Sequence, residues 1–422
     1  MGKSRSDKQI GYLLRSYPRL SQTFILNEIL ALEQLDVSIQ IFALTNPHEK
    51  VVQMQVNQVH APVHYLDEAM QTRRLQHIVR DHLEVARLHF IGYLRALSYI
   101  ATHPKIDKGY TATNRGECFL QAVHLIHVLL LEERKTGKKI DHLHAHFAHD
   151  PALIAYLVNC ITGLPFSFTA HARDLYQVPE DVLTDRIHQA SAVVTCCGAN
   201  IEYLNQIASS DKSKFSLIYH GVNLKDFQSA KSINTSSRSE IPIILSVGRL
   251  VEKKGFQDLF QALLKVKARG QRFRCTIYGD GPLSQQLKAW IDEHGMADDI
   301  LLMGDRSQHE LIPIFQSATC FALTPVQTDD GDRDGIPNVL VEAMAVGLPV
   351  ITTAVAGIPE LIDHDQNGFL YQQHDVEGIS SGIFELLRNA EKRRQLGDAA
   401  SKKVTEQFDV VLAANRLKAL FA

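Results

Sequence analysis

Short apolar runs alternate with amphipathic helical segments along most of this 422-residue chain. This alternation is typical of parallel α/β folds, in which a helix follows each strand and returns the chain to the start of the next. The chain is too long for one ordinary core and fits two or three domains. We therefore predict doubly wound parallel sheets. Ligands of such sheets bind outside the carboxyl ends of the strands, so residues at strand ends are the first candidates for a site.

The first series of strand-like runs fills the amino-terminal half and is interrupted once. Residues 71–139 have a helical pattern without clear strands, which indicates a helical insertion. The series as a whole predicts a Rossmann-like domain at residues 1–227. Its strands are predicted at residues 10–14, 39–43, 63–66, 140–144, 166–169, 193–196 and 215–218.

A stretch rich in Ser, Lys and Asn, residues 228–240, is predicted to link this domain to a second one. The second Rossmann-like domain is assigned to residues 241–407, and the two are expected to face each other across a cleft. A last helix, 408–422, is expected to pack back on the first domain. Predicted strands lie at 243–247, 274–278, 300–303, 320–323 and 350–352, and predicted helices at 256–268, 282–294, 339–345 and 376–389.

The composition argues against several classes of protein. Apolar residues make up 45% and charged residues 22%, which is typical of globular proteins, and a net charge of −3 argues against general nucleic-acid binding. Six cysteines without a C-x-x-C pair favour a reduced cytoplasm. The longest apolar-rich run, 119–131, is too short to span a bilayer. We expect a cytoplasmic protein, with contact to the inner face of the membrane left open.

Two loops of the second domain follow strands and carry glycines. Gly248 and Arg249 come directly after the first strand, and Lys254 precedes a helix whose free N–H groups attract anions. A diphosphate leaving group would need that charge, although solvated surface residues are the alternative. After the next strand, Gly279 and Gly281 would allow close approach of a ligand, whereas a plain turn is the simpler explanation.

The most informative stretch runs from Asp334 to Glu342, two carboxylates eight residues apart. Each can accept hydrogen bonds from hydroxyl groups, and the helix start between them can bind phosphate. This suits a sugar at one end and a ribose at the other. Because the helix is apolar nearly all round, Glu342 is predicted to be buried rather than solvated.

The segments GRLVEKKG, YGDGP and DGIPNVLVEAMAVGLPVI together resemble the carboxyl-terminal domain of the retaining glycosyltransferases of family 4, which have the GT-B fold. The resemblance implies that Glu342 binds the ribose, Asp334 the donor sugar, and Arg249 with Lys254 the diphosphate. The family pattern is Glu-x7-Glu, so Asp334 shortens the reach by one methylene. The implied donor-binding residues are Gly248, Arg249, Lys254, Gly279, Gly281, Asp334, Gly335, Ile336, Pro337, Asn338, Val339, Leu340 and Glu342.

Two metal patterns near this stretch are incomplete. Asp330, Asp332 and Asp334 begin like a calcium loop, but position twelve is Val341 instead of Glu. Asp330-Gly331-Asp332 also matches the metal-binding Asp-x-Asp of the other major glycosyltransferase fold. A basic diphosphate clamp in a two-domain layout does not need that metal. We expect no metal and no cofactor apart from the nucleotide diphosphate sugar as co-substrate.

Histidines mark two strand ends of the first domain. Alternation would place His142, His144 and His146 on one strand face, a candidate zinc face that no cysteine or carboxylate pattern completes. The same segment is similar to the family's His-Ala-His-Phe signature. His171 follows another strand and would hydrogen-bond the sugar or stabilise developing positive charge, whereas an ordinary surface histidine is the alternative. Its match to the family's His-Ala-x-Asp segment implies a catalytic role alongside Asp334, Glu342, Arg249 and Lys254.

The loop after the first strand, SYPRLSQTF, is similar to that of transferases that build extracellular polysaccharides. Ser-Glu-Thr-Phe is usual there, and Gln22 replaces the acidic residue, a change expected to affect acceptor choice. The turn at residues 219–223 is similar to the family's Asn-Gly-Val-Asp turn and is expected to close the first domain. The implied acceptor-side residues are Ser16, Pro18, Ser21, Gln22, Thr23, His146, Arg173 and Asp174.

The helical insertion carries basic residues among leucines and aromatics, including Arg80, Arg87 and Arg95. One interpretation is a face that rests on an anionic membrane and receives a lipid-linked acceptor. Core-packed helices with solvated basic edges are the other.

The resemblance implies transfer of a hexosyl group from a nucleotide diphosphate sugar to a hydroxyl of a saccharide or lipid-linked acceptor, in polysaccharide or glycolipid synthesis. No convincing nucleophilic carboxylate is found, and retention implies front-side attack. Two alternatives stay open: an epimerase or hydrolase of sugar nucleotides on the same fold, and an inactive partner subunit that binds the donor. The second rests on the departures at Asp334 and Gln22.

Overall fold

The structure is a computed structural model that describes residues 8–49, 52–66, 75–108, 113–228 and 241–421. The chain divides into two compact units. The first comprises Met1–Ile218 and Ala414–Ala422, and the second comprises Tyr219–Ala413. Each unit is built on a parallel sheet with flanking helices.

The first unit contains a seven-stranded sheet in the order β3-β2-β1-β4-β5-β6-β7, with every neighbouring pair parallel. The order reverses between β1 and β4, so the loops after these two strands flank the switch point. The strands are β1 Gln9–Ser16, β2 Ser38–Thr45, β3 Val63–Tyr65, β4 His142–His146, β5 Phe166–Ala170, β6 Ala192–Thr195 and β7 Phe215–Leu217. Its helices are α1 Thr23–Gln34, α2 Leu75–Leu88, α3 Phe90–Thr102, α4 Arg115–Thr136, α5 Asp150–Thr162, α6 Arg173–Tyr176, α7 Glu180–Gln189 and α8 Gly198–Ile207, with short 3₁₀ helices at Met54–Gln58, Pro104–Asp107 and Ser209–Lys214.

All seven predicted strands of the first unit are present, with ends shifted by up to two residues. Helices cover both faces of the sheet, so most of the strand residues are buried and read as nearly continuous apolar runs. Helices α2, α3 and α4 lie within the predicted insertion, between β3 and β4. Residues 71–74 and 109–112 of that insertion lie outside the described residues.

The second unit contains a six-stranded sheet in the order β10-β9-β8-β11-β12-β13, also parallel throughout. Its switch point lies between β8 and β11. The strands are β8 Ile243–Val247, β9 Arg274–Tyr278, β10 Ile300–Leu302, β11 Cys320–Ala322, β12 Val350–Thr353 and β13 Phe369–Tyr371. The helices, in addition to the 3₁₀ helix Glu252–Lys254, are α9 Leu224–Gln228, α10 Phe256–Ala268, α11 Ser284–Glu293, α12 Gln308–Ser317, α13 Asn338–Ala345, α14 Ile358–Leu361, α15 Val376–Arg388, α16 Ala390–Gln407 and α17 Val410–Phe421.

The boundary between the units differs from the one expected at residue 227. The turn expected to close the first domain lies in the second unit from Tyr219 onward. Tyr219 donates a hydrogen bond from its hydroxyl to Glu360 at 2.8 Å. A Cβ at Gly221 would lie 2.3 Å from the backbone nitrogen of Val410, so the turn packs directly on the start of α17. The expected linker lies outside the described residues except for its first residue, Gln228.

Helix α17 begins in the second unit and ends in the first. Its last residue, Phe421, is 5% exposed, and its ring lies 5.5 Å from that of His142 and 5.3 Å from that of His144. The ring of Tyr12 is 6.4 Å away at a nearly perpendicular angle. The end of the chain therefore covers the histidine face of β4.

No helix in the part of the chain that the structure describes has the length and apolar character needed to cross a membrane. All six cysteines are free thiols.

Candidate functional site

The switch point of the second sheet gathers the residues that the sequence predicts to bind a donor. The loop after β8 runs from Gly248 to Lys254, and the loop after β11 runs to Asp334. Lys254 Nζ lies 2.6 Å from Asp334 Oδ2. The two residues are 80 positions apart in the chain and meet because β8 and β11 are neighbours in the sheet.

A second lysine, which the sequence analysis did not single out, extends this pair. Lys253 Nζ lies 3.0 Å from Asp332 Oδ1 and 3.4 Å from Asp334 Oδ1. Burial opposes ionisation of Asp334, but the ammonium groups of Lys254 and Lys253 outweigh it and lower the pKa of the carboxyl. Burial likewise opposes the charge of Lys253, and Asp334 with Asp332 outweighs it and raises the lysine's pKa. Asp334 and Lys253 are therefore charged at neutral pH.

The glycines of this region allow loops to pack closely. Gly279 has φ +139°, and a Cβ there would lie 2.1 Å from the carbonyl oxygen of Gly248. A Cβ at Gly281 would lie 2.6 Å from the carbonyl oxygen of Leu250. Lys254 lies along Gly248, where a Cβ would meet its side chain at 3.5 Å. Gly279 and Gly281 thus join the loops after β8 and β9, which is a structural reason for both glycines besides any contact with a ligand.

Arg249 is exposed and has no salt-bridge partner among the described residues. Asn338 begins α13 after Pro337, whose carbonyl oxygen accepts a hydrogen bond from Leu340 N at 3.0 Å. The first N–H groups of a helix have no acceptor within the helix, and no acidic side chain occupies this first turn. Pro337 and Leu340 are buried, and the rest of this segment, Gly335, Ile336, Asn338 and Val339, is half-buried.

Glu342 lies one turn further along α13 and is 3% exposed, as its apolar neighbours predicted. Its only hydrogen bond between described side chains comes from Gln308 Nε2, at 2.6 Å from Oε1. Burial raises the pKa of Glu342 to about 7, and the hydrogen bond from Gln308 opposes the rise. Gln308 is the first residue of α12 and is itself 4% exposed. The sequence analysis missed Gln308, since nothing in its own segment pairs it with α13.

The acidic loop before Asp334 is held by hydrogen bonds within the loop and by lysines. Asp330 accepts a hydrogen bond from the Thr328 hydroxyl at 2.5 Å and from Asp332 N at 3.2 Å. Asp332 and Asp334 face the ammonium group of Lys253. These contacts account for the spacing of the aspartates, which in the sequence is similar to that of a calcium loop.

In the first unit, the switch point lies between the loops after β1 and β4. Glu28 Oε1 accepts hydrogen bonds from the Tyr12 hydroxyl at 2.9 Å and from His146 Nε2 at 2.8 Å. Glu28 is 7% exposed and His146 is 0% exposed. The contacts of His146 are therefore with protein side chains in this structure. Glu28, which fixes the ring, was not predicted.

One group of side chains could place metal ligands close together among the described residues: Glu28, His144 and His146, with ligand atoms within 4.8 Å of one another. Both ring nitrogens of His144 already lie near hydroxyls, Nδ1 at 2.8 Å from Ser167 and Nε2 at 3.0 Å from Thr169. Burial lowers the pKa of His144 well below its usual value, so the ring is neutral. His142, the third histidine of the candidate zinc face, bonds Ser167 at 2.7 Å and is not part of this group.

His171 follows β5 and stacks among rings at the same edge of the sheet. Its ring centroid lies 4.5 Å from that of Phe147, 5.1 Å from Phe24 and 5.8 Å from His146. The side chain is 13% exposed. Asn200 Nδ2 donates to its backbone carbonyl at 3.2 Å.

Asp174 is the residue that holds this edge together. Its carboxylate accepts hydrogen bonds from Ala148 N at 2.7 Å and from His171 N at 3.1 Å. Burial acts to raise the pKa of Asp174, but hydrogen bonding and the charges of nearby histidines lower it overall. With 2% exposure, Asp174 contacts the loops after β4 and β5, whereas its neighbour Arg173 is exposed and donates to Gln177 at 2.9 Å.

The predicted acceptor loop lies after β1 and leads into α1, which begins at Thr23. Ser16 is buried, Pro18 is half-buried behind a cis peptide bond, and Ser21 is exposed. Gln22, which stands before the first helical residue, makes no side-chain capping bond. Ser21 is exposed, and Pro18, Gln22 and Thr23 are half-buried, so these four of the predicted residues are partly accessible.

Residues 228–403 match the family described as "Glycosyl transferases group 1". The chain is similar to proteins of two bacteria that are both named "Putative colanic acid biosynthesis glycosyltransferase WcaL". The Salmonella typhimurium protein is 35% identical over 167 residues, which is 39% of this chain and 41% of the relative. The Escherichia coli protein is 27% identical over 385 residues, 89% of each chain.

A solved structure of Anabaena Alr3699/HepE in complex with UDP-glucose superposes with a TM-score of 0.71 over 98% of this chain and 99% of that one, at 16% sequence identity. At this identity the likeness shows the fold alone. The expected GT-B fold, with two Rossmann-like domains, is thereby confirmed.

Proposed function

We propose that this chain, whose residues 228–403 match the glycosyl transferases group 1 family, is a retaining transferase that uses a nucleotide diphosphate sugar. It would move a hexosyl group to a hydroxyl of a saccharide or lipid-linked acceptor. The observation that carries this proposal is the pair formed by Lys254 and Asp334 at the switch point of the second sheet. Ligands of doubly wound sheets bind at that point, and the pair offers a cation for phosphate and a carboxylate for sugar hydroxyls.

The donor contacts follow from the position of each group. Lys254 and Arg249 would bind the diphosphate together with the first N–H groups of α13. Asp334 would accept hydrogen bonds from the hexose, and Glu342 from the ribose. In the structure, the ammonium group of Lys254 contacts the carboxylate of Asp334. A bound donor would replace that contact with one from each residue to a different part of the ligand.

The proposed reaction is a front-side displacement. The bond between the anomeric carbon and the diphosphate oxygen breaks, and a bond from the acceptor oxygen forms on the same face. The acceptor proton passes to the leaving phosphate. Lys254, Lys253 and Arg249 would stabilise the negative charge that develops on the diphosphate, and the protein would otherwise act by positioning. The proposal calls for no metal ion or cofactor.

The first unit would supply the acceptor side. Ser21, Gln22 and Thr23 are accessible at the start of α1, and Arg173 is exposed after β5. We assign His171 the role of binding the hexose or stabilising developing positive charge. His146 and Asp174 would act by positioning, since both are buried and contact protein groups.

The similarity to the WcaL proteins supports a place in the synthesis of a bacterial polysaccharide or glycolipid. Gln22 and Asp334, which differ from the residues usual in the family, are the positions at which we expect the acceptor and the sugar of this chain to be selected.

A thermal-shift panel of UDP-, GDP- and ADP-sugars tests the donor site, because a ligand that binds the folded state raises the melting temperature. We expect one nucleotide class to stabilise the wild type and to have little effect on Glu342→Ala. Glu377→Ala provides a control in the same unit, since the Glu377 side chain is 76% exposed. If no sugar nucleotide shifts the wild type, the proposed donor site is refuted.

Product analysis then separates transfer from its alternatives. With the stabilising donor and a panel of saccharide and lipid-linked acceptors, we expect a new glycoside. An altered sugar nucleotide without acceptor indicates an epimerase, and free sugar alone indicates a hydrolase. Binding without any turnover indicates a partner subunit that holds the donor.

A further inference from the structure

An exposed apolar surface lies on the helical insertion of the first unit. Of the thirteen large apolar side chains that are exposed in the described part of the chain, seven lie between residues 79 and 97. Ile91 is 74% exposed, Leu83 66% and Phe90 62%. Isolated exposed apolar side chains are common, whereas a concentration on one element marks a site of interaction. This surface, the hairpin face, is carried by α2 and α3 and comprises Val79, Leu83, Leu88, Phe90, Ile91, Leu94 and Leu97.

Arginines border the hairpin face on both helices. On α2, Arg80 lies three positions before Leu83 and Arg87 four positions after it, and positions three and four apart share a face of a helix. Arg95 on α3 lies four positions after Ile91 and borders it in the same way. All three arginines are exposed, and none of them forms a salt bridge with a described residue.

The acidic residues of α2 point the other way. Asp81 is 4% exposed and lies 3.1 Å from His124 Nδ1 and 3.3 Å from His127 Nε2. Glu84 contacts the other nitrogen of His127 at 2.6 Å and Arg134 at 2.6 Å. Both carboxylates are thus bound by side chains of α4. Because these two carboxylates are bound to α4, the arginines give the hairpin face an excess of positive charge.

The hairpin is fixed to the rest of the unit by its inner side. A Cβ at Gly92 would lie 2.2 Å from the carbonyl oxygen of Ile161, so α3 packs directly on the backbone of α5. The Tyr99 hydroxyl donates to Asp185 at 3.0 Å. The helices also contact each other, with 2.8 Å between His82 Nδ1 and the Tyr93 hydroxyl. The inner side of the hairpin therefore packs against the rest of the first unit. The exposed apolar side chains lie on its outer side, which is the hairpin face.

We propose that the hairpin face docks on an anionic lipid bilayer. Apolar side chains bordered by arginines are what an interfacial helix needs, because the apolar groups enter the acyl boundary while the cations stay among phosphate headgroups. A second copy of this chain fits less well, since a two-fold contact through this face would bring the arginines of both copies together. A bilayer surface would also present the lipid-linked acceptors of the proposed function. The docking itself is inferred from the residues of α2 and α3 alone and does not depend on the proposed function.

Flotation of the full chain with lipid vesicles tests the proposal. We expect the protein to float with vesicles of phosphatidylglycerol and phosphatidylcholine at low salt. With vesicles of phosphatidylcholine alone, it should remain in the bottom fraction. Replacing Arg80, Arg87 and Arg95 with Ser should weaken binding at least tenfold, since each cation near such a surface contributes about 1 kcal/mol, or about fivefold. A matched control replaces three exposed cations of the second unit, Arg272, Lys288 and Lys402, with Ser.

The apolar contribution is tested by Phe90→Ser with Ile91→Ser, which should reduce flotation at least tenfold at unchanged charge. Val411→Ser with Leu412→Ser is the control, since both side chains are exposed elsewhere in the chain. Phe90→Trp gives a readout that does not depend on destabilising changes. The chain has one native tryptophan, Trp290 in the second unit. Anionic vesicles should therefore shift the emission of the variant to the blue and leave that of the wild type unchanged.

Three results would overturn the proposal. One is the absence of flotation at low salt, and another is an unchanged emission of the Phe90→Trp variant with vesicles that do bind the protein. The third is a concentration-dependent dimer that the Phe90→Ser, Ile91→Ser variant abolishes while vesicles bind neither form. Vesicle binding is measured without sugar nucleotide, so its failure leaves the donor site to be judged by the thermal-shift panel alone.

Discussion

The ammonium group of Lys254 lies 2.6 Å from the carboxylate of Asp334, and both side chains are largely shielded from solvent. One residue follows the first strand of the second sheet and the other follows the fourth. Removing one partner of a shielded pair costs more than removing one partner of an exposed pair, although Lys253 at 3.4 Å would still partly compensate the charge of Asp334. The charges of the two residues are therefore coupled.

Lys254→Ala should reduce turnover at least about tenfold, equivalent to a barrier about 1.4 kcal/mol higher, because it removes a cation from the proposed diphosphate site. The measurement is the steady-state rate with the donor that the thermal-shift panel selects. Lys267→Ala is the control, since Lys267 forms a pair of the same 2.6 Å length with Asp299 on an exposed face. Equal rates in the two variants would exclude Lys254 from the reaction.

Glu342 should make the second unit less stable as the pH rises from about 4.5 to about 7. The folded carboxyl, with a pKa raised by burial to about 7, keeps its proton over this range, while the unfolded one releases it near 4.5. The folded state therefore binds more protons, and the cost above pH 7 is roughly 3 kcal/mol. Glu342→Gln should lose correspondingly less stability between pH 5 and pH 8.

Urea unfolding followed by the fluorescence of Trp290, which lies in the same unit, measures this difference. Glu377→Gln is the control at an exposed position. The same pH dependence in wild type and Glu342→Gln would show that the carboxyl titrates normally.

Gln308→Leu should weaken donor binding about tenfold near pH 7. The amide donates a hydrogen bond to Glu342, which favours the ionised carboxylate that would accept the ribose hydroxyls. Since the side chain would act only through Glu342, the affinity for donor should fall more than the maximal rate. Titration calorimetry at pH 7 and pH 8.5 tests this, because the higher pH should restore part of the affinity.

The control for that experiment is His309→Ala, on the same helix and exposed. A loss of affinity that is the same at both pH values would point to a packing defect.

Asp174→Ala should destabilise the first unit by roughly 2–4 kcal/mol, because the buried backbone N–H of Ala148 and the half-buried one of His171 lose their acceptor. The lowered pKa of Asp174 stabilises the fold above its unfolded value near 3.8, and this contribution is lost as the pH falls through the folded pKa. Thermal unfolding at pH 7 measures the first effect. Asp181→Ala, which breaks an exposed pair with Lys105, should cost less than about 1 kcal/mol.

Most strands could be predicted because burial on both faces leaves an apolar run in the sequence. Strand β13 was missed, since it has three residues and only Phe369 is buried. Helix α12 was missed because it contains Pro313, which is rare inside helices. Helix α16 was missed because eight of its eighteen residues are charged and its buried side is small. Position 397, on the buried side of α16, requires glycine because a Cβ there would lie 2.1 Å from the carbonyl oxygen of Gly347.

The candidate site could be predicted where a single segment carries the chemistry, as from Asp334 to Glu342. The partners Lys253, Gln308 and Glu28 could not be predicted, because each acquires its role only through a contact between distant segments. The sequence does not distinguish the role of Lys253 from that of the adjacent Lys254. A glutamine at a helix start has no pattern that points to α13.

The return of α17 to the first unit has a consequence for how this protein is made. Phe421 covers His142 and His144, yet it follows the whole second unit in the sequence. Domains generally fold from the amino terminus while synthesis proceeds. Here the whole second unit must be synthesised before the residue that covers β4 exists. The unit that emerges first is thus the last to be completed.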